Sequence, residues 1–184
     1  HWAAKQIEIL TEHGVIVGYP DGTFKPDENV SRAEFASMAI KALGQEHTTV
    51  AQPVKFTDID PTFWAYDAIQ KALYFDLISC PPEGQPFRPD DTVTRAESIS
   101  VAVNALTTEQ ISEIKAKEVL SKKFADVNEV PEWFVIPAGK AEILNMLVTI
   151  PSANKAKVEA NRPATRAEVA AILYEMMEQA KLNP

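Results

Sequence analysis

The four-residue string Ser/Thr-Arg-Ala-Glu occurs three times, at Ser31–Glu34, Thr94–Glu97 and Thr165–Glu168. A hydroxyl residue followed three positions later by glutamate is a capping box. The hydroxyl accepts from the N3 amide, the carboxylate reaches back to the N-cap amide, and a helix starts there. Three such starts constrain the chain to repeated helical units. The cap does not need the arginine that follows it. A cation at the first helical position faces the positive end of the helix dipole, which costs about a few tenths of a kcal/mol. Three placements of this kind point to a task for Arg32, Arg95 and Arg166 other than helix stability.

Other features recur in phase with the arginines, which lie 63 and then 71 residues apart. Trp2, Trp64 and Trp133 precede them by 30, 31 and 33 residues, and an apolar pair follows each tryptophan: Val15-Ile16, Leu77-Ile78 and Met146-Leu147. Phe56-x-Asp58-Ile59 and Phe124-x-Asp126-Val127 open the second and third copies. The first copy would need the same opening before His1, so the chain is expected to begin inside a repeat, as a piece of something longer.

Behind each capping box the apolar residues follow helical spacing, as in Phe35, Met38, Ala39, Ala42 and Leu43 or Val169, Ile172, Leu173, Met176 and Met177. Shorter helices are expected near residues 3–13, 65–76 and 136–146. Between the helices of copy one lies Gly18-Tyr19-Pro20-Asp21-Gly22-Thr23-Phe24-Lys25-Pro26, with a Pro-Asp-Gly turn signal. Helices this short are marginal alone, and repeats that cannot bury their own apolar face share a core with their neighbours. The expected fold is therefore mainly α: three helix–loop–helix repeats around a common axis, forming one domain over residues 1–184. Repeat one takes 1–48, repeat two 49–108 and repeat three 124–184. Residues 109–123, with Ile111, Ile114 and Val119 in a charged helical pattern, read as an inserted connecting helix, with a solvated linker as the alternative.

Composition excludes several classes. A formal charge of −8 argues against nucleic acid, which needs clustered Lys and Arg. No apolar run approaches the length of a membrane span, and the single cysteine, Cys80, rules out an internal disulfide framework. Hydrolase, nucleotide-binding and metal-binding signatures are missing, and His1, His13 and His47 have no ligand spacing. The reading is a non-enzymatic module without a cofactor or metal.

The ordered set of Phe-x-Asp opening, tryptophan, Gly-Tyr-Pro-Asp-Gly-x-Phe-x-Pro loop and Ser/Thr-Arg-Ala-Glu helix start resembles the S-layer homology repeat over nearly the whole chain. That resemblance implies a pseudo-threefold bundle which anchors a bacterial surface protein to the cell envelope. The ligand it implies is an acidic, pyruvylated secondary cell-wall polysaccharide, bound in grooves between repeats. Tethering to modified peptidoglycan in a double-membraned bacterium is one alternative, and a helical protein–protein adaptor is another. Self-assembly with other S-layer proteins is a further partner it allows.

A ketal pyruvate presents a carboxylate. Helix N-termini supply amides and positive dipole for an anion, and arginine adds a bidentate, charge-assisted partner. Arg32, Arg95 and Arg166 are the expected acid-binding residues, with pairing to neighbouring repeats as their structural alternative. Gly18, beside Tyr19, would let backbone approach a ligand closely. The tryptophans open amphipathic helices and read first as core, with stacking of Trp64 and Trp133 on sugar faces as the ligand role. Asp58 and Asp126 either accept from sugar hydroxyls or cap the short helices. Copy two has Cys80 where copy one has Gly18, and copy three shows no Gly-x-Phe loop, Pro151–Asn161 reading as unrelated. Unequal grooves are expected, with binding expected first in those built on the loop of copy one.

Overall fold

The computed structural model describes residues 1–78, 81–82, 84–106, 110–147 and 156–182. The position of Cys80 therefore lies outside the described residues, as does the Pro151–Lys155 part of the copy-three loop. Seven α-helices are present among the described residues: α1 (Ala4–Glu12), α2 (Arg32–Ala42), α3 (Tyr66–Tyr74), α4 (Arg95–Leu106), α5 (Glu113–Lys123), α6 (Glu132–Ile143) and α7 (Arg166–Leu182). The fold is mainly helical, as the repeats predict.

All three capping boxes form. The Glu34, Glu97 and Glu168 amides donate to the Ser31, Thr94 and Thr165 hydroxyls at 3.2, 3.2 and 3.3 Å. Each glutamate carboxylate accepts from its own N-cap amide at 2.9, 2.7 and 2.9 Å. The helices that follow are α2, α4 and α7, and they make the centre of the molecule.

Just before each cap the chain joins a closed ring of backbone hydrogen bonds. Val30 N–H donates to the Ala164 carbonyl, Ala164 N–H to Val93, and Val93 N–H back to Val30, at 3.0, 2.9 and 2.9 Å. The ring extends into the helix ends. Arg32 and Ala33 amides donate to Asp91 and Pro89, Arg95 and Ala96 to Arg162 and Ala160, and Arg166 and Ala167 to Glu28 and Pro26. Each helix thus has its orphan first-turn donors satisfied by the loop of the next repeat. These amides, expected to be open to an anion, are taken up by the neighbouring loops instead.

The first helix of each repeat packs on the capped helix of the repeat before it: α3 on α2, α6 on α4, and α1 on α7. Because α7 also packs on both α2 and α4, the capped helices bury more than one face. In α2 that includes Ala33, Ala36 and Ile40 as well as the expected Phe35, Met38 and Ala39. The face surfaces toward the C-terminal ends, where Ala105 is exposed. Helix α6 begins at Glu132, earlier than the expected 136, so Trp133 sits inside its first turn. Pro137 is carried within the helix, where it removes the amide that would bond to the Trp133 carbonyl.

The connecting helix is present as α5, started by the Ser112 hydroxyl, which accepts from Lys115 N–H at 3.2 Å. Its contact face differs from the expected one. Ala116 and Leu120 are buried, whereas Ile114 is 83% exposed. The reason is the closeness of α6: a Cβ on Gly139 would lie 2.5 Å from Ala116 Cβ and 2.6 Å from its Cα. The two backbones meet through small residues, and the bulkier Ile114 is left outside. Gly139→Val is expected to lower stability by about 1–3 kcal/mol through this overlap, measured as a fall in the thermal midpoint.

Candidate functional site

The three arginines occupy equivalent places between repeats, one step around the ring each. Arg32 Nε donates to the Phe87 carbonyl at 3.2 Å, Arg95 Nε to Val158 at 3.0 Å and Arg166 Nε to Phe24 at 2.9 Å. Each guanidinium also faces the capping glutamate of the next repeat: Arg32 with Glu97 at 3.9 Å, Arg95 with Glu168 at 2.7 Å and Arg166 with Glu34 at 3.6 Å. Aromatic faces complete two of the sites. Phe87 lies under Arg32, and both Tyr19 and Phe24 lie under Arg166.

The three are not equally accessible. Arg95 and Arg166 are buried, at 2% and 4% exposure, and Arg166 also gives Nη2 to the Val17 carbonyl at 2.7 Å. Arg95 shares Glu168 with Arg162, whose Nη2 lies 2.6 Å from the same carboxylate. Burial raises the Glu168 carboxyl, but the Arg162 hydrogen bonds, the Arg95 charge and the Thr165 amide outweigh it and hold the group below its ordinary range. Arg32 is the most accessible of the three, with its side chain 12% exposed. Desolvation pulls its guanidinium below the ordinary value, Glu97 opposes this, and the side chain stays charged.

Arg32 lines a cavity of about 330 Å³ together with Phe35 of α2, Val93, Glu97 and Ser100 around α4, and Trp133 of α6. Three repeats therefore contribute to one groove. Its floor is apolar, its rim carries the Arg32 guanidinium, the Glu97 carboxylate and the Trp133 indole, and the buried Ser100 Oγ has no hydrogen-bond partner among the described residues. Trp133 is 57% exposed, and Trp2 and Trp64 are 43% and 65% exposed. The tryptophans are thus surface residues, contrary to their first reading as core: each stands at the start of a short helix whose following turns supply the buried contacts. Trp64 stands just ahead of α3, which packs on α2.

Asp58 and Asp126 neither cap the short helices nor leave oxygens idle. Asp58 accepts from the Phe87 and Arg88 amides, each at 2.7 Å, and Asp126 from Val158 and Glu159 at 2.8 and 2.9 Å. Each clamps the loop ahead of the capped helix of its own repeat. The same geometry corrects the reading of copy three. Glu159 has φ 52°, matching Lys25 at 53° and Arg88 at 59°, and buried Val158 takes the place of Phe24 and Phe87. The half of the loop that leads into the helix is therefore kept in all three copies. Gly18 makes room for its own loop, since a Cβ there would lie 2.9 Å from the Thr23 carbonyl. Tyr19 is half-buried between loop and Arg166, with its hydroxyl 3.4 Å from Glu28. The loop of copy one thus covers Arg166, and the cavity lies at Arg32, against the loop of copy two.

No cluster of three or more His, Cys, Asp or Glu suited to a metal occurs among the described residues, and no helix there is long and apolar enough to cross a membrane.

The S-layer homology domain model matches residues 1–36 and 55–97. The chain belongs to the S-layer homology family. Similar proteins include an amylopullulanase of Thermoanaerobacterium thermosulfurigenes, 30% identical over 97% of this chain and 9% of that protein. A surface-layer 125 kDa protein of Lysinibacillus sphaericus is 29% identical over 100% of the chain and 15% of its own length. A cellulosome-anchoring protein of Acetivibrio thermocellus is 36% identical over 58% of the chain and 24% of its own length. The chain spans less than a quarter of each of these relatives. The third S-layer homology repeat lies outside both matched segments, yet it makes the same cap, clamp and arginine contacts.

Two residues of this S-layer homology bundle escaped the sequence reading. Arg162 stands three residues before its cap, where the other repeats have Glu28 and Asp91; that charge reversal was its signal. Ser100 had none, since a serine on a helix reads as surface and only packing makes it a groove wall.

Proposed function

We propose that this chain anchors a bacterial surface protein non-covalently to the cell envelope, where the full-length protein is exported to the cell surface. The ligand is an acidic secondary cell-wall polysaccharide, with its pyruvate carboxylate at Arg32 and a sugar face on Trp133. The observation that carries the reading is the groove itself. It brings together the most accessible of the three arginines, an exposed indole and a buried hydroxyl without a hydrogen-bond partner among the described residues, over an apolar floor. Arginine suits a planar carboxylate, and indole suits the apolar face of a sugar ring. Support also comes from relatives whose names place them in surface layers and in cellulosome anchoring. In this reading Arg95 and Arg166 hold the repeats together, Asp58 and Asp126 hold the loops, and Gly18 and Tyr19 shape the wall over Arg166. The segment acts by binding and performs no catalysis; the glycosidase names among its relatives belong to proteins many times its length.

The test is retention on purified cell-wall sacculi before and after mild acid removal of ketals, with heparin as an unrelated polyanion. Binding is expected to fall at least about tenfold on stripped walls and for Arg32→Ala, the scale of one lost charge-assisted contact. Because the chain carries −8, long-range repulsion works against polyanions in general, and heparin should retain little. Equal retention on heparin, or on stripped walls, rejects recognition of the acidic group. Retention by peptidoglycan freed of polysaccharide would move the ligand to the peptidoglycan itself.

A further inference from the structure

The three capping glutamates end in different states. Glu168 has both oxygens engaged: Oε1 accepts from Arg95 and Arg162 at 2.7 and 2.6 Å, and Oε2 accepts from the Thr165 amide. Its side chain is 2% exposed. Glu97 accepts through Oε2 alone, from the Thr94 amide at 2.7 Å and the Thr94 hydroxyl at 2.8 Å. Its Oε1 makes no hydrogen bond among the described residues and stands 3.9 Å from Arg32 Nη1. That side chain is 36% exposed and lines the groove.

The groove therefore presents a positive donor and a negative acceptor side by side. Arg88 and Asp91 also act on Arg32, with opposite signs, and they pair with each other at 3.4 Å. Two guanidinium groups against two carboxylates leave no net charge at the site. Arginine alone pairs with carboxylate and phosphate alike, and the more highly charged group gains more from it. Glu97 works against that order. It repels a dianion about twice as strongly as a monoanion at the same distance. A hydroxyl or N–H beside a carboxylate can donate to Glu97 Oε1, whereas a phosphate monoester above its second pKa of about 6 has no proton to give.

We propose that Glu97 is a specificity-determining residue of this groove, selecting a singly charged carboxylate with a hydrogen-bond donor beside it over a phosphate ester. This rests on the reading of Arg32 as the acid contact, and it adds a reason why the acid is a carboxylate.

Glu97→Gln removes the charge and keeps the cap, since glutamine also serves at the third helical position. The probes are two methyl glucosides, one carrying a 4,6-pyruvate ketal and the other a 6-phosphate, titrated at about pH 8 so that the phosphate is doubly charged. Binding is followed by NMR at the Trp133 indole N–H. The wild type should prefer the ketal, and Glu97→Gln should reduce the ketal-to-phosphate affinity ratio at least about tenfold, the scale of one added charge repulsion at short range. Glu34→Gln, which alters the equivalent cap away from this groove, should keep the wild-type ratio. The same ratio in wild type and Glu97→Gln, or an equal change from Glu34→Gln, overturns the proposal, as does a wild type that prefers the phosphate. Wall retention that survives ketal removal rejects the acid site itself, whereas an unchanged ratio alongside ketal-dependent wall retention rejects only the role of Glu97.

Discussion

Glu168→Ala should cost about 3–5 kcal/mol of folding stability, the scale of breaking a buried ion pair by removing one partner. In a chain of this length that is a fall of roughly 10 °C in thermal midpoint. The Glu168 carboxylate lies 2.7 Å from Arg95 Nη1 and 2.6 Å from Arg162 Nη2, and it accepts from the Thr165 amide at 2.9 Å. Alanine leaves the Arg95 guanidinium buried without its counter-charge and removes one side of a capping box. Glu97 is the internal control. It has the same box, but it is more exposed and lies 3.9 Å from Arg32, so Glu97→Ala should cost only about 1 kcal/mol, the worth of a cap. Thermal and urea denaturation of the two variants side by side give the comparison, and equal losses would reject the buried-pair account.

The same carboxyl sets an acid limit. Its ionised form is favoured in the folded state, so its stabilisation is complete above the ordinary carboxylate range. It is lost as the pH falls through that range to the lower folded value. Wild-type stability should therefore drop on acidification more steeply than that of Glu168→Gln, which keeps the shape without the charge.

Asp126→Ala should destabilise by about 2–4 kcal/mol, since it strands the buried Val158 amide at roughly 1–3 kcal/mol for an unsatisfied group and also removes the part-buried bond from Glu159. Asp126 is itself buried, whereas Asp58 is exposed. Water can replace Asp58 at the Phe87 and Arg88 amides, so Asp58→Ala should cost about half as much. Urea midpoints for the two variants decide this, and a larger loss from Asp58 would show that burial does not govern the clamp. Were either aspartate a sugar ligand only, its alanine variant would keep wild-type stability and lose wall binding.

These effects divide what was legible in the chain from what was not. A capping box spans three residues and draws on one turn of backbone, so Ser31–Glu34, Thr94–Glu97 and Thr165–Glu168 announced three helix starts that the structure contains. The recurring tryptophans and Phe-x-Asp openings likewise marked the repeats, because spacing survives divergence. The loop of copy three was missed since its residue types changed while its backbone path did not. Val158 stands seven residues before Thr165, as Phe24 and Phe87 stand seven before Ser31 and Thr94, and side-chain identity hid that register.

The number of units, their helical content and the arginine at the head of each central helix are readable along the chain, because all of them follow from local hydrogen bonding and periodic burial. What those arginines contact depends instead on how the repeats close on one another. Each reaches a loop of another repeat, 55, 63 and 142 residues away along the chain, and no local rule specifies such a partner. Closing the ring buried Arg95 and Arg166 against carbonyls and glutamates. The looser Arg32–Glu97 pair left one guanidinium facing a groove, and ring closure brought Trp133 from the third repeat to the wall of that groove.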